Sequence, residues 1–381
     1  MALQTMFKRI LMLVTALVIA SSVSATGKVQ IGYLTQYGSL APDNVVVGTL
    51  SHINYAFADI NTNGTVFLTT PATDKANLQS LYQIKLKQRN LKVLLSIGGG
   101  TASGAGHFNF VTDSGSRANF VTSVVSDLDY EYPTTTAEGA GFADLFTELR
   151  TAFTTLQKTN GETEPYQLTA AINAVNYNNK FFVVPQSDAA LTYWNIMGYD
   201  YSGSWIKWTD NQANIYGGAR TATSGDMCVD HLTSEGATLD KIVMGIPLYG
   251  RSFEGTTGLG ATYTGVGPND GTYPYNQLPL AGATVSENKT DITSYSYDSS
   301  TREFVSYDTA AVGTLKGQYI LSKGLAGSMF WELSSDRVGA NSLVGTVATA
   351  LGTLDNTQNH IKYPHLSFPS KRSTKMVKSR Q

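Results

Sequence analysis

Eight short runs rich in β-branched and aromatic residues recur along the chain with helical patterns between them. They are Val29 to Leu34, His52 to Ala58, Lys92 to Ile97, Asp127 to Tyr132, Gln167 to Ile172, Trp194 to Tyr199, Lys241 to Leu248 and Gly327 to Trp331. Several are nearly continuous apolar runs, which suits parallel strands covered on the outside by helices. Helical patterns include Asp74 to Arg89, Ser116 to Val125, Gly139 to Gln157 and Gly225 to Gly236. This alternation over 381 residues predicts an α/β fold, a (β/α)8 TIM barrel.

Between Arg251 and Thr314 the composition turns to Gly, Thr, Tyr, Asn and Pro with little helix. The change predicts a small α+β insertion domain after the seventh strand, over residues 251–314, which divides the barrel into 26–250 and 315–355. Residues 356–381 are expected to be a disordered tail, since from Ser367 onward it carries Lys371, Arg372, Lys375, Lys378 and Arg380 and almost nothing apolar. At the other end Lys8 and Arg9 precede the apolar run Ile10 to Ala20, and Val23-Ser24-Ala25 offers small residues for cleavage. Residues 1–25 therefore read as a signal peptide, with a run too short to span a bilayer, and the chain is expected to be secreted and extracellular. The glycosylation sequons Asn63-Gly64-Thr65 and Asn288-Lys289-Thr290 fit that compartment.

A formal net charge of −2 gives no electrostatic footprint for nucleic acid, and no later segment is apolar enough to call for a membrane. Cys228 is the single cysteine, so no intramolecular disulfide can form. The five histidines show no ligand spacing with one another or with Cys228, and no metal is expected.

The chemistry lies in Ser126-Asp127-Leu128-Asp129-Tyr130-Glu131-Tyr132-Pro133. A strand sends residues i, i+2 and i+4 to one face, so Asp127, Asp129 and Glu131 are expected together, with Leu128, Tyr130 and Tyr132 opposite. Crowded carboxylates in a low-dielectric place keep one of their number protonated, which suits a general acid. Spacing alone leaves a solvated strand face equally open.

The segment resembles the Asp-x-x-Asp-x-Asp-x-Glu motif of family 18 glycoside hydrolases, the chitinases and their relatives. Leu94-Leu95-Ser96-Ile97-Gly98-Gly99-Gly100 is similar to that family's third-strand Ser-x-Gly-Gly, and Met197-Gly198-Tyr199-Asp200-Tyr201 to its sixth-strand Met-x-Tyr-Asp. Gly245 to Arg251 and Gly327 to Glu332 resemble the seventh and eighth strands. The resemblance implies hydrolysis of β-1,4 links in chitin or chitooligosaccharides by a monomer, with retention of configuration and no cofactor. Glu131 would be the general acid and then the base. Asp129 would hydrogen-bond to Glu131 and to the substrate acetamide, Asp127 would share its proton from below, and Tyr199 would hold the acetamide with Asp200 beside it. Trp331 matches the floor of the sugar site. Tyr33, Phe57, Ser96, Gly98, Gly99, Tyr132, Met197, Tyr249, Arg251 and Trp205 are placed at the cleft by their motifs or strand ends. Tyr263, Tyr273 and Tyr275 are expected either to stack on sugars or to pack inside the insertion. A rival outcome is a chitinase-like lectin that binds oligosaccharide without cleaving it.

The chain departs from the family motif at two positions, Val124 in place of its first aspartate and Ser126 in place of a glycine. The helical pattern of residues 116–125 also runs straight into the carboxylate strand, although an αβ connection takes about 2–6 residues. Roughly ten residues are absent by the spacing a barrel needs. Because a barrel must keep its strands paired, Asp127 to Tyr132 is expected to survive as a strand and the preceding helix to be sacrificed, leaving Phe120 and Val124 poorly covered.

Overall fold

The computed structural model describes residues 27–123 and 126–362. Eight parallel strands form a closed barrel: β1 Val29–Thr35, β2 His52–Ile60, β3 Lys92–Gly98, β4 Ser126–Asp129, β5 Thr169–Asn173, β6 Tyr193–Met197, β7 Ile242–Pro247 and β8 Gly327–Trp331. Closure is explicit in the register, since β1 pairs with β2 through Ile31↔His52 and with β8 through Ile31↔Met329. The helices of the barrel are α1 Pro71–Lys87, α2 Gly100–Gly104, which sits at the mouth of the barrel, α3 Ser114–Ser123, α4 Thr136–Asn160, α5 Val184–Ala190, α6 Gly225–Ser234, α7 Ala310–Lys323 and α8 Leu343–Leu351.

The period-2 alternation of each strand sorts its side chains between two cores. Outward-facing Ile53, Tyr55, Leu128, Ile172, Trp194 and Phe330 join the helices in one large apolar cluster. Inward-facing Val29, Ile31, Tyr33, Ala56, Val243 and Met329 form a second cluster inside the barrel. Burial on both faces explains why the strands read as almost unbroken apolar runs. Helix α4 begins with a reciprocal capping box between Thr135 and Glu138 and ends on Gly161 at φ 61°, which fixes its length against the neighbouring strands.

The insertion is a five-stranded antiparallel sheet of Tyr249–Phe253, Thr272–Pro274, Thr284–Asn288, Thr293–Asp298 and Glu303–Ser306. It begins two residues after β7, and α7 starts at Ala310, so the expected boundary at 314 falls inside a helix.

Two expectations are corrected. Helix α3 is kept at ten residues and β4 is the shortened element, four residues ending at Asp129 rather than at Tyr132. Phe120 is fully buried and stacks on Phe110 at 5.2 Å, so the helix stays covered. Helix packing wins because Arg117 ties α3 down: its guanidinium donates to Glu148 Oε1 at 3.0 Å and to the Val111 carbonyl at 2.8 Å. Val124 lies outside the described residues. The second correction concerns the C-terminus, where packing continues beyond 355. Asn359 donates to the carbonyls of Lys85, Gln88 and Leu91 at the end of α1, at 3.1, 3.1 and 2.7 Å, and is itself gripped by Arg89. The expected signal peptide, 1–25, and the rest of the expected tail, 363–381, lie outside the described residues.

Candidate active site

Because Leu128 points outward into the main core, Asp129 points into the barrel, where it is 4 % exposed. Tyr130 continues the alternation outward and stacks flat on Phe108 at 4.4 Å. Glu131 lies two residues past the end of β4 and reaches the same cavity as Asp129. The backbone of Asp127 pairs with Ser96 and Thr169. The proton sharing expected of its side chain lies outside the described residues.

The cavity, about 430 Å3, opens at the C-terminal ends of the strands, where barrels place their sites. Of the residues expected there it brings together Tyr33, Phe57, Gly98, Gly99, Asp129, Glu131, Met197, Tyr199, Asp200, Tyr249, Arg251 and Trp331. The Trp331 ring stacks on Phe57 at 5.5 Å and tilts against Tyr33 at 5.4 Å, forming an aromatic floor. Gly99, at φ 84°, must be glycine, since a Cβ there would lie 2.8 Å from the Phe57 ring.

Burial pushes the Glu131 carboxyl above its ordinary value of 4.5, and the charge of Asp200 across the cavity pushes it further. Asp200, at φ 61°, is held by a bidentate guanidinium, with Arg251 Nε at 2.8 Å and Nη2 at 2.9 Å. The Tyr199 hydroxyl, buried and surrounded by Asp129, Asp200 and Glu131, is raised well above the phenol range and stays a donor. The site therefore pairs a proton-holding acid with fixed negative charge and a neutral donor, over an apolar platform.

The family profile described as Glycosyl hydrolases family 18 matches residues 29–336. The chain belongs to glycosyl hydrolase family 18. Among its relatives, Endochitinase 1 of Metarhizium robertsii is 34 % identical over 389 residues, covering 91 % of each chain. Chitinase 1 of Aphanocladium album is 32 % identical over 379 residues, covering 88 % of each. The solved class V chitinase of Nicotiana tobaccum superposes with a TM-score of 0.78 at 26 % identity, covering 86 % of this chain and 99 % of that one. A mutant of that chitinase has been solved in complex with NAG4.

Three of the expected cleft residues of this family 18 chain do not line the cavity. Ser96 is fully buried within β3, and Tyr132, three residues past the end of β4, is 37 % exposed. Trp205 also lies outside the cavity wall, 54 % exposed, with the Arg251 guanidinium 5.1 Å from its ring. None of the three insertion tyrosines lines the cavity. Tyr275 is buried beneath Arg337, Tyr263 meets Phe253 edge-on at 4.8 Å, and Tyr273 packs on the main core. Sequence reading missed Tyr37, Gly100, Thr101, Ala171, Thr272 and Met329 as lining residues. Gly100 closes the quoted glycine run and Thr101 directly follows it, so both could have been found by carrying the motif one residue further. Thr272 accepts from Arg251 Nη1 at 2.9 Å, a position set by the fold of the insertion with no local signal.

Proposed function

We propose that the chain is a secreted chitinase that hydrolyses β-1,4 bonds between N-acetylglucosamine units, with retention and with the substrate's acetamide oxygen as nucleophile. The observation that carries this reading is Glu131 itself, a carboxyl with raised proton affinity facing a cavity floored by Trp331, Phe57 and Tyr33. In the first step Glu131 gives its proton to the glycosidic oxygen as the C1–O bond breaks. The acetamide oxygen attacks C1 and closes an oxazolinium ring, so the leaving sugar departs as an alcohol. The Asp129 carboxylate stabilises the ring's positive charge and the Tyr199 hydroxyl donates to the acetamide oxygen. In the second step the Glu131 carboxylate takes a proton from water, whose oxygen attacks C1 and reopens the ring. Substrate is expected to press an apolar sugar face on Trp331.

Secretion is supported by the charged and apolar pattern of residues 1–25. The four-residue β4 favours a second reading, in which Glu131 is held too loosely for turnover and the cleft only binds oligosaccharide. Glu131→Gln separates the two. On the proposed reading the parent hydrolyses chitotetraose, the variant does not, and both bind it within a few-fold of each other. Equal cleavage by variant and parent would remove Glu131 from the role of acid, and absence of cleavage by the parent with intact binding would favour the lectin.

A further inference from the structure

The segment carrying Glu131 has little ladder support. Strand β4 pairs with β3 at four positions but with β5 at two, and none of these reaches beyond Asp129. The backbone at Glu131 is held instead by the turn that follows β3. The Gly99 amide donates to the Asp129 carbonyl at 2.9 Å. The Ser103 hydroxyl donates to the same carbonyl at 3.4 Å and accepts from the Glu131 amide at 3.1 Å. The same short helix, α2, also meets the carboxyl group, for a Cβ on Gly100 would lie 2.7 Å from Glu131 Oε1. One turn of chain thus touches both ends of the residue.

Resting on the acid role assigned to Glu131, we propose that Ser103 is its positioning residue: the hydroxyl bridges the Asp129 carbonyl and the Glu131 amide and so fixes where the carboxyl enters the cavity. A strand cut to four residues leaves no ladder bond to do this, and a serine hydroxyl, which donates and accepts at once, replaces it. The first of these bonds runs to the residue that faces the cavity and the second to the acid, so the hydroxyl also sets their relative placement. A displacement of about 1 Å is enough to cost about a hundredfold in rate.

The test compares Ser103→Ala and Ser103→Thr with the parent. Steady-state kinetics on chitotetraose are followed across pH, and the Glu131 carboxyl is titrated by carbon-13 NMR of glutamate-labelled protein, its signal assigned by its loss in Glu131→Gln. For Ser103→Ala the expected result is a kcat lower by about tenfold to a hundredfold, KM within about twofold, and a melting temperature close to the parent's. The freed carboxyl reaches water, so its titration midpoint and the basic limb of the rate profile both move to lower pH. Ser103→Thr keeps the hydroxyl and returns most of the rate. A parental midpoint and rate in Ser103→Ala, or a threonine variant as slow as the alanine one, would overturn the positioning role, as would a rate loss that tracks a fall in melting temperature. If the parent does not cleave chitotetraose, the function assigned to the site fails, and the NMR midpoint alone then upholds or refutes the placement of Glu131 by Ser103.

Discussion

Ionising Glu131 inside the cavity costs the folded state free energy, because burial and the charge of Asp200 both oppose it. A carboxyl whose folded pKa lies above its unfolded value contributes stability that is full below the unfolded value and is lost as pH rises through the folded one. Glu131→Gln cannot ionise and escapes that loss. Relative to the parent, the variant is expected to be more stable at pH 7 than at pH 4, by urea unfolding at each pH; a relative stability that is flat or falls with pH contradicts the raised proton affinity. The field of Asp200 gives a companion result: Asp200→Asn should move the basic limb of activity to lower pH, and an unmoved limb would detach Asp200 from Glu131. Asp129 and Glu131 were legible in the sequence because strand alternation is local. Asp200 as the charge acting on Glu131 was not, since it lies at the end of another strand and is aimed by a left-handed backbone and by Arg251.

Helix α3 and strand β4 compete for too few residues, and the helix keeps its length. The reason is the burial of Phe120 together with the anchorage of Arg117, 9 % exposed, on α4 and on the Val111 carbonyl. The sequence showed the compression but not its victim, because Glu148, which holds Arg117, lies 31 positions away. Replacing Arg117 by Met keeps the apolar stem and removes every donor. That change is expected to cost about 1–3 kcal/mol, most of it from the unpaired Val111 carbonyl, with Glu148 adding less because it is part-exposed. Thermal unfolding within error of the parent would mean that α3 is held by packing alone.

At the scale of the molecule, the C-terminal segment straps the barrel on the side away from the cavity. Asp355 pairs with Lys92 at the start of β3 at 2.8 Å, with side chains 2 % and 9 % exposed, and Asn359 caps the end of α1. Asp355→Ala leaves the Lys92 ammonium buried without its partner and is expected to cost about 3–5 kcal/mol in urea unfolding. A loss below 1 kcal/mol would show that the ammonium finds water instead. The barrel and its insertion were readable from alternation and composition, which are properties of whole segments. The strap was not, because its polar composition resembles a tail and its order comes from partners more than 260 positions away.

If the chain hydrolyses its substrate with retention at the cavity served by Glu131, the first product anomer reports it. The direct measurement is proton NMR of chitotetraose mixed with the parent chain, recorded before the product anomers equilibrate. Attack by the acetamide and then by water inverts C1 twice, so the new reducing end is predicted to appear first as the β anomer, with no product from Glu131→Gln. An α anomer appearing first, or equal turnover by Glu131→Gln, would rule out retaining hydrolysis with Glu131 as the acid.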